Sequence, residues 1–94
     1  MAHMRNECSR GELVRSLAGH DKSEIYIIIE TDGAYVYLAD GRIRTLDRPK
    51  KKKIKHVEPL GAACSEAALV EDTQIRKIIK KYKKEEVKEE IGDV

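Results

Sequence analysis

Neither tryptophan nor phenylalanine occurs in this sequence, and its whole aromatic content is four tyrosines. A core must therefore come from Ile, Val and Leu, which pack well on pleated sheets, and there is little material for the aromatic-lined groove of a peptide-docking barrel. Long apolar runs are missing too. The densest, within residues 25–29, falls far short of the roughly 20 residues that a membrane-spanning helix needs. The N-terminus lacks the basic-then-apolar plan of a signal peptide, so a cytoplasmic protein without a membrane partner is expected. Cysteine is scarce: Cys8 and Cys64 stand far apart, without a CxxC pair or a His at ligand spacing. They read as reduced thiols in preference to a disulfide or metal pair, and no cofactor is implied. Absent as well are a phosphate-cradling GxxxxGK[ST] and any Ser or Cys with a matched His and acid. No catalytic residue is assigned, and no enzymatic activity is expected.

What the sequence does have is concentrated charge. The formal net charge of the 94 residues is only +2. Between residues 42 and 56, however, eight basic side chains (Arg42, Arg44, Arg48, Lys50, Lys51, Lys52, Lys53, Lys55) face one acid, Asp47. That stretch carries +7, and the remaining 11 basic and 16 acidic residues carry −5. A charge placed for solubility would be dispersed, whereas this one makes a local positive field. The run Lys50 to Lys53 has three readings: a phosphate contact, a solvated loop, or a membrane or targeting patch. Its focus favours the first.

The length allows one domain, and the opening "MAHM", residues 1–4, reads as an expression remnant, which removes His3 from any site. "ELVRS" alternates and then breaks at "LAGHDKS". "EIYIIIE" is a dense β-branched strand ended by "TDG", where Asp32-Gly33 predicts a tight hairpin turn. "AYVYLA" puts Tyr35 and Tyr37 on one face and Val36 and Leu38 on the other. Asp40-Gly41 predicts a second hairpin into "RIRTL", with Arg42 and Arg44 opposite Ile43, and "IKHV" reads as a short last strand. The expected core is Ile27, Ile29, Val36, Leu38, Ile43 and Val57. Short strands and tight turns over residues 8–60 indicate a mainly β fold, a small antiparallel barrel closed against exposed edges. Residues 61–71 read as a linker. Residues 72–90 form an amphipathic, charged helix, with Ile75, Ile78, Ile79 and Tyr82 at i, i+3, i+4, i+7 spacing and Asp72 or Thr73 as N-cap.

Three elements, "GELVRS", "AGHDKSEIYIII" and "YLADGRIRTLDRPKKKKIKHV", carry a resemblance. From Gly11 through Leu60 the chain resembles the KOW-motif domains of ribosomal proteins. It is most similar to small bacterial KOW-domain RNA-binding proteins related to a large-subunit ribosomal protein of archaea and eukaryotes. The third element, an "ADG" turn followed by alternating arginines, a proline-lysine tract and a His-containing strand, is the most specific. Where that family usually has glycine after the lysine of the first loop, this chain has Ser23; glycine there would permit positive φ. The resemblance implies a five-stranded SH3-like barrel and an RNA partner, ribosomal RNA first, in translation. The C-terminal α-helix rests on its own periodicity, and the resemblance implies nothing specific about the tail after Gly61. Ribosomal proteins are possible partners of the helix.

The residues implied to meet RNA are Lys22, Arg42, Arg44, Arg48, Lys50, Lys51, Lys52, Lys53 and Lys55. Arginine grips a phosphate with a planar fork and lysine neutralises it as a point charge. Arginines on or beside strands, next to a lysine-bearing loop, would suit a reader of backbone and shape. Tyr35 and Tyr37 are candidate stacking platforms against the more ordinary reading as half-buried strand residues. His56 reads as structural and His20 as solvent-facing. The alternative function is a protein-interaction module using the barrel or the helix's apolar stripe, and the stripe's plainer reading is that it folds back on the barrel.

Overall fold

The computed structural model of the protein describes residues 8–92, with side chains through Glu85. The suggested expression remnant, residues 1–4, lies outside them, as do the side chains of Val87 and Ile91. Strand β1 (Glu12–Ser16) pairs with β2 (Ile25–Asp32), which pairs with β3 (Tyr35–Ala39), which pairs with β4 (Lys50–Lys53), while β5 (Val57–Ala63) runs along the other side of β1. The result is one antiparallel sheet in the order β4-β3-β2-β1-β5, followed by a C-terminal helix α1 (Asp72–Gly92). The fold is mainly β and compatible with an SH3-like arrangement. The sheet is not closed, contrary to expectation: β4 and β5 are its two edges and do not pair with each other, and a 3-10 turn at Ile54–His56 joins them.

The two faces of the sheet are buried in different ways, and β2 shows why its alternation is hard to read from sequence. Tyr26 and Ile28 join Val14, Val36, Leu38 and Val57 on one face. Ile25 and Ile27 join Leu13 and Ala39 on the other, under Leu69, Ile75 and Ile79. With apolar partners on both sides, β2 needs no polar alternation. The register shifts between Ile28 and Glu30, leaving Ile29 only partly buried. The helical stripe thus folds back on the sheet: Ile75 and Ile79 are buried, with Ile78 and Tyr82 packed beside them.

Four local expectations are corrected. The first hairpin turn sits at Gly33-Ala34, one residue later than read, because Asp32 still pairs with Tyr35. Only Gly33 of the two has positive φ (61°), the pattern of a II′ turn. Asp40-Gly41 does not make a tight hairpin; it opens a connection over residues 40–49. There Asp40 Oδ1 accepts the N–H groups of both Arg42 and Arg44 (2.9 Å each), and the compact loop leaves Ile43 83% exposed at its tip. "IKH" is the 3-10 turn, so His56 is not on a strand. The segment 61–71 holds the end of β5 and a second 3-10 turn, Glu66–Val70, whose Leu69 is buried in the core.

Ser23 is the one non-glycine residue with positive φ (78°) among the described residues, held by its N–H donating to the Ser16 carbonyl at 2.8 Å. A left-handed conformation costs an L-residue about 1–2 kcal/mol, part of which glycine would return as unfolded-state entropy. Ser23→Gly is therefore expected to stabilise the fold by roughly 0.5–1 kcal/mol, visible as a higher urea midpoint at unchanged slope. A lower midpoint would refute this account of the loop.

Candidate nucleic-acid interface

Lysine is a poor strand former, yet the four consecutive lysines are β4, and the arginines read as strand residues occupy the connection before it. The sequence assignment of arginines to strands and lysines to a loop is therefore inverted. Strand alternation then sends successive lysines to opposite faces. Lys50 and Lys52 pair across from Leu38 and Val36, on the buried side, while Lys51 and Lys53 pair across from Tyr37 and Tyr35, on the outer side.

On the inner side, Asp21 accounts for the lysines. Its Oδ1 accepts from Lys52 Nζ (3.1 Å) and Ser16 Oγ (2.9 Å), and its Oδ2 accepts from the Tyr26 hydroxyl (3.2 Å) and lies 3.5 Å from Lys50 Nζ. Lys52 also donates to the Ala18 carbonyl at 3.1 Å. Burial opposes ionisation of Asp21, whose side chain is 13% exposed, but these hydrogen bonds and the two ammonium charges outweigh it and hold the carboxyl down at about 2. Burial, then the charge and hydrogen bond of Asp21, push the Tyr26 hydroxyl well above its usual range. Half of the lysine run is thus a structural clasp between the 17–24 loop and β4. The clasp is not legible in the sequence, because Asp21 and Lys52 are 31 residues apart and leave no local spacing to read, and the Tyr26 hydroxyl reaches Asp21 only once the loop between them is folded.

The outer side differs. Lys51 Nζ stands 4.6 Å from the Tyr35 ring centroid and 5.9 Å from that of Tyr37, with both tyrosines half-buried. Lys53 and Lys55 are exposed and line a groove of ≈ 720 Å³ with Tyr35, Ile54, Val57 and Pro59. Arg42 and Arg48 are exposed on the 40–49 connection and Arg44 is half-buried. Lys22 is exposed in the Ser23 loop beside His20, which is also exposed. The sequence-predicted set is therefore dispersed into a clasped pair, an outer lysine-tyrosine strip and loop arginines. Cys8 and Cys64 are free and pack against opposite faces of the sheet, and burial raises both thiols.

No protein-family model matches the chain, and no curated protein matches it.

Proposed function

We propose that the protein binds RNA through its sugar-phosphate backbone, as a ribosome-associated or ribosomal-protein-like component of the translation apparatus. The observation that carries this reading is Lys51 held over the Tyr35 and Tyr37 rings on the outer face of an otherwise lysine-edged strand. Lysine on an edge strand is also a guard against edge-to-edge pairing, and that would explain an exposed lysine anywhere along β4. It does not explain basic side chains continuing beyond the strand, with Lys55 lining the same groove as Tyr35 and Arg48 exposed on the connection before it. Phosphates on Lys51, Lys53 and Lys55 with a base against Tyr35 is the arrangement expected of a single-strand contact. The KOW resemblance supplies RNA as the polyanion. The helical half of the protein-interaction alternative loses its surface, because Ile75 and Ile79 are buried in the core.

The test is a salt titration of binding to single-stranded RNA. Each phosphate contact contributes about 0.7 to the slope of log affinity against log salt. Lys51→Gln with Lys53→Gln should make the slope shallower by roughly 1.4 with the fold intact. Lys52→Gln should instead lower the melting temperature and leave the slope nearly unchanged. Equal slopes for the wild type and the Lys51/Lys53 variant, or RNA affinity no greater than that of an unrelated domain of like charge, would remove the proposal.

A further inference from the structure

The second basic segment of the chain, "RKIIKKYKK" in α1, meets the first across a groove. Arg42, from the 40–49 connection, and Arg76, Lys77, Lys80 and Lys83, from α1, line one depression of ≈ 600 Å³ together with Thr73, Glu24 and Asp40. Its five cations exceed its two carboxylates, and one oxygen of the Asp40 carboxylate, Oδ1, is turned to the backbone N–H groups of Arg42 and Arg44. The wall between loop and helix is fixed. Arg76 Nη1 donates to the Gly41 carbonyl at 2.7 Å, Leu46 N–H donates to Asp72 Oδ1 at 2.8 Å, and a Cβ on Gly41 (φ +78°) would come within 2.4 Å of the Asp72 carbonyl oxygen. Asp72, read from sequence as a helix cap, serves here to seat the loop. The groove is thus held open on rigid elements, and Lys77, Lys80 and Lys83 are exposed along its helical side.

The charge order of α1 is a second, independent observation. Arg76–Lys80, Lys77–Lys81 and Lys80–Lys84 are like-charge pairs one turn apart, and no acid stands three or four residues from Lys77 or Lys80. Each such pair weakens a helix by roughly 0.2–0.5 kcal/mol. The acids gather instead beyond Lys84, and the last turn carries no basic residue to complement the helix dipole. A face built for helix stability or solubility would interleave the signs. This one keeps its repulsion, and a polyanion relieves it.

We propose that the groove between the 40–49 connection and α1 is a second phosphate-binding surface, and that it takes the backbone of the same RNA as the β3–β4 face. The inference rests on the RNA-binding reading. Lys77, Lys80 and Lys83 span about 9 Å of helix, a row along which successive phosphates are met, with the Arg42 fork across from them.

The experiment uses the full chain and a fluorescein-labelled single-stranded RNA of about 16 nucleotides, titrated between about 50 and 200 mM salt. Lys77→Gln/Lys80→Gln/Lys83→Gln, which preserves helix propensity, is compared with the Lys51/Lys53 variant, each checked by thermal melting. The helix variant should keep its melting temperature, bind about ten- to hundredfold more weakly near 0.1 M salt and lose about 2 from the slope. An unchanged slope in the helix variant, with the Lys51/Lys53 variant still shallower than wild type, overturns the groove and leaves RNA binding standing. Wild-type protein that does not bind the RNA overturns both. Polyglutamate competing as well as unlabelled RNA also overturns the proposal, because the groove would then be a site for acidic protein.

Discussion

A chain ending at Leu60 is expected to be unfolded, although residues 8–60 contain every strand start and every element of the KOW resemblance. The cut removes the end of β5, including the Glu12–Ala63 pairing and the Cys64 N–H to Gly11 carbonyl bond of 2.9 Å. It also removes Leu69, Ile75 and Ile79, which cover Leu13, Ile25, Ile27 and Ala39. At about 1.5–3 kcal/mol for each buried side chain, three of them amount to roughly 5–9 kcal/mol before ordering entropy is counted. A small domain has only about 5–15 kcal/mol in total, so the loss is comparable with the whole stability. Circular dichroism of the fragment should show no cooperative melt, and Ile75→Ala in the full chain should cost about 2–5 kcal/mol in urea unfolding. A fragment melting cooperatively near the full-length temperature would show that α1 is an accessory. Loss of RNA binding by such a fragment therefore says nothing about where RNA binds, and for that reason the substitutions above are all made in the intact chain.

Replacing Asp21 by alanine should be the most damaging change among the charged residues, at about 2–4 kcal/mol, because it takes the acceptor from the Tyr26 hydroxyl and the counter-charge from Lys50 and Lys52, leaving Lys52 and Ser16 Oγ only the Ala18 carbonyl. The same clasp sets an acid limit. The carboxyl of Asp21 lies at about 2 when folded against a usual 3.8. A depressed carboxylate contributes stability that is complete above the unfolded value and is lost as pH falls through the folded one. The Asp21 contribution, on the order of 2 kcal/mol, is therefore expected to fade between about pH 4 and pH 2. The Asp21→Asn variant should show a correspondingly flatter stability profile across that window. A variant whose acid profile parallels the wild type would mean that Asp21 does not anchor β4.

Where sequence reading succeeded, the signal was local. Glu12–Ser16 was delimited by its alternation and the following turn formers, and Gly33 marked a turn because a positive φ excludes most other residues. Ile75, Ile78, Ile79 and Tyr82 showed the helical period directly. Failures came where a partner far along the chain made the decision. Ile43 looks like a core residue by alternation, but Asp40 folds the backbone around itself and turns residue 43 outward. The lysine run looks like a loop by propensity, but pairing with β3 and the carboxylate of Asp21 make it an edge strand.

The sequence by itself determined that the chain forms a mainly β unit with one amphipathic helix and a focused basic segment, because period, turn chemistry and charge are all written within a few residues of one another. Only the tertiary structure decided which lysines are free. Alternation on a paired strand sends Lys51 and Lys53 to the tyrosine face and Lys50 and Lys52 to Asp21, and the fold-back of α1 brings Arg42 beside Arg76, Lys77, Lys80 and Lys83. Charges add along a sequence whatever the fold, but the potential that a polyanion meets depends on where the charges lie and on which are already neutralised.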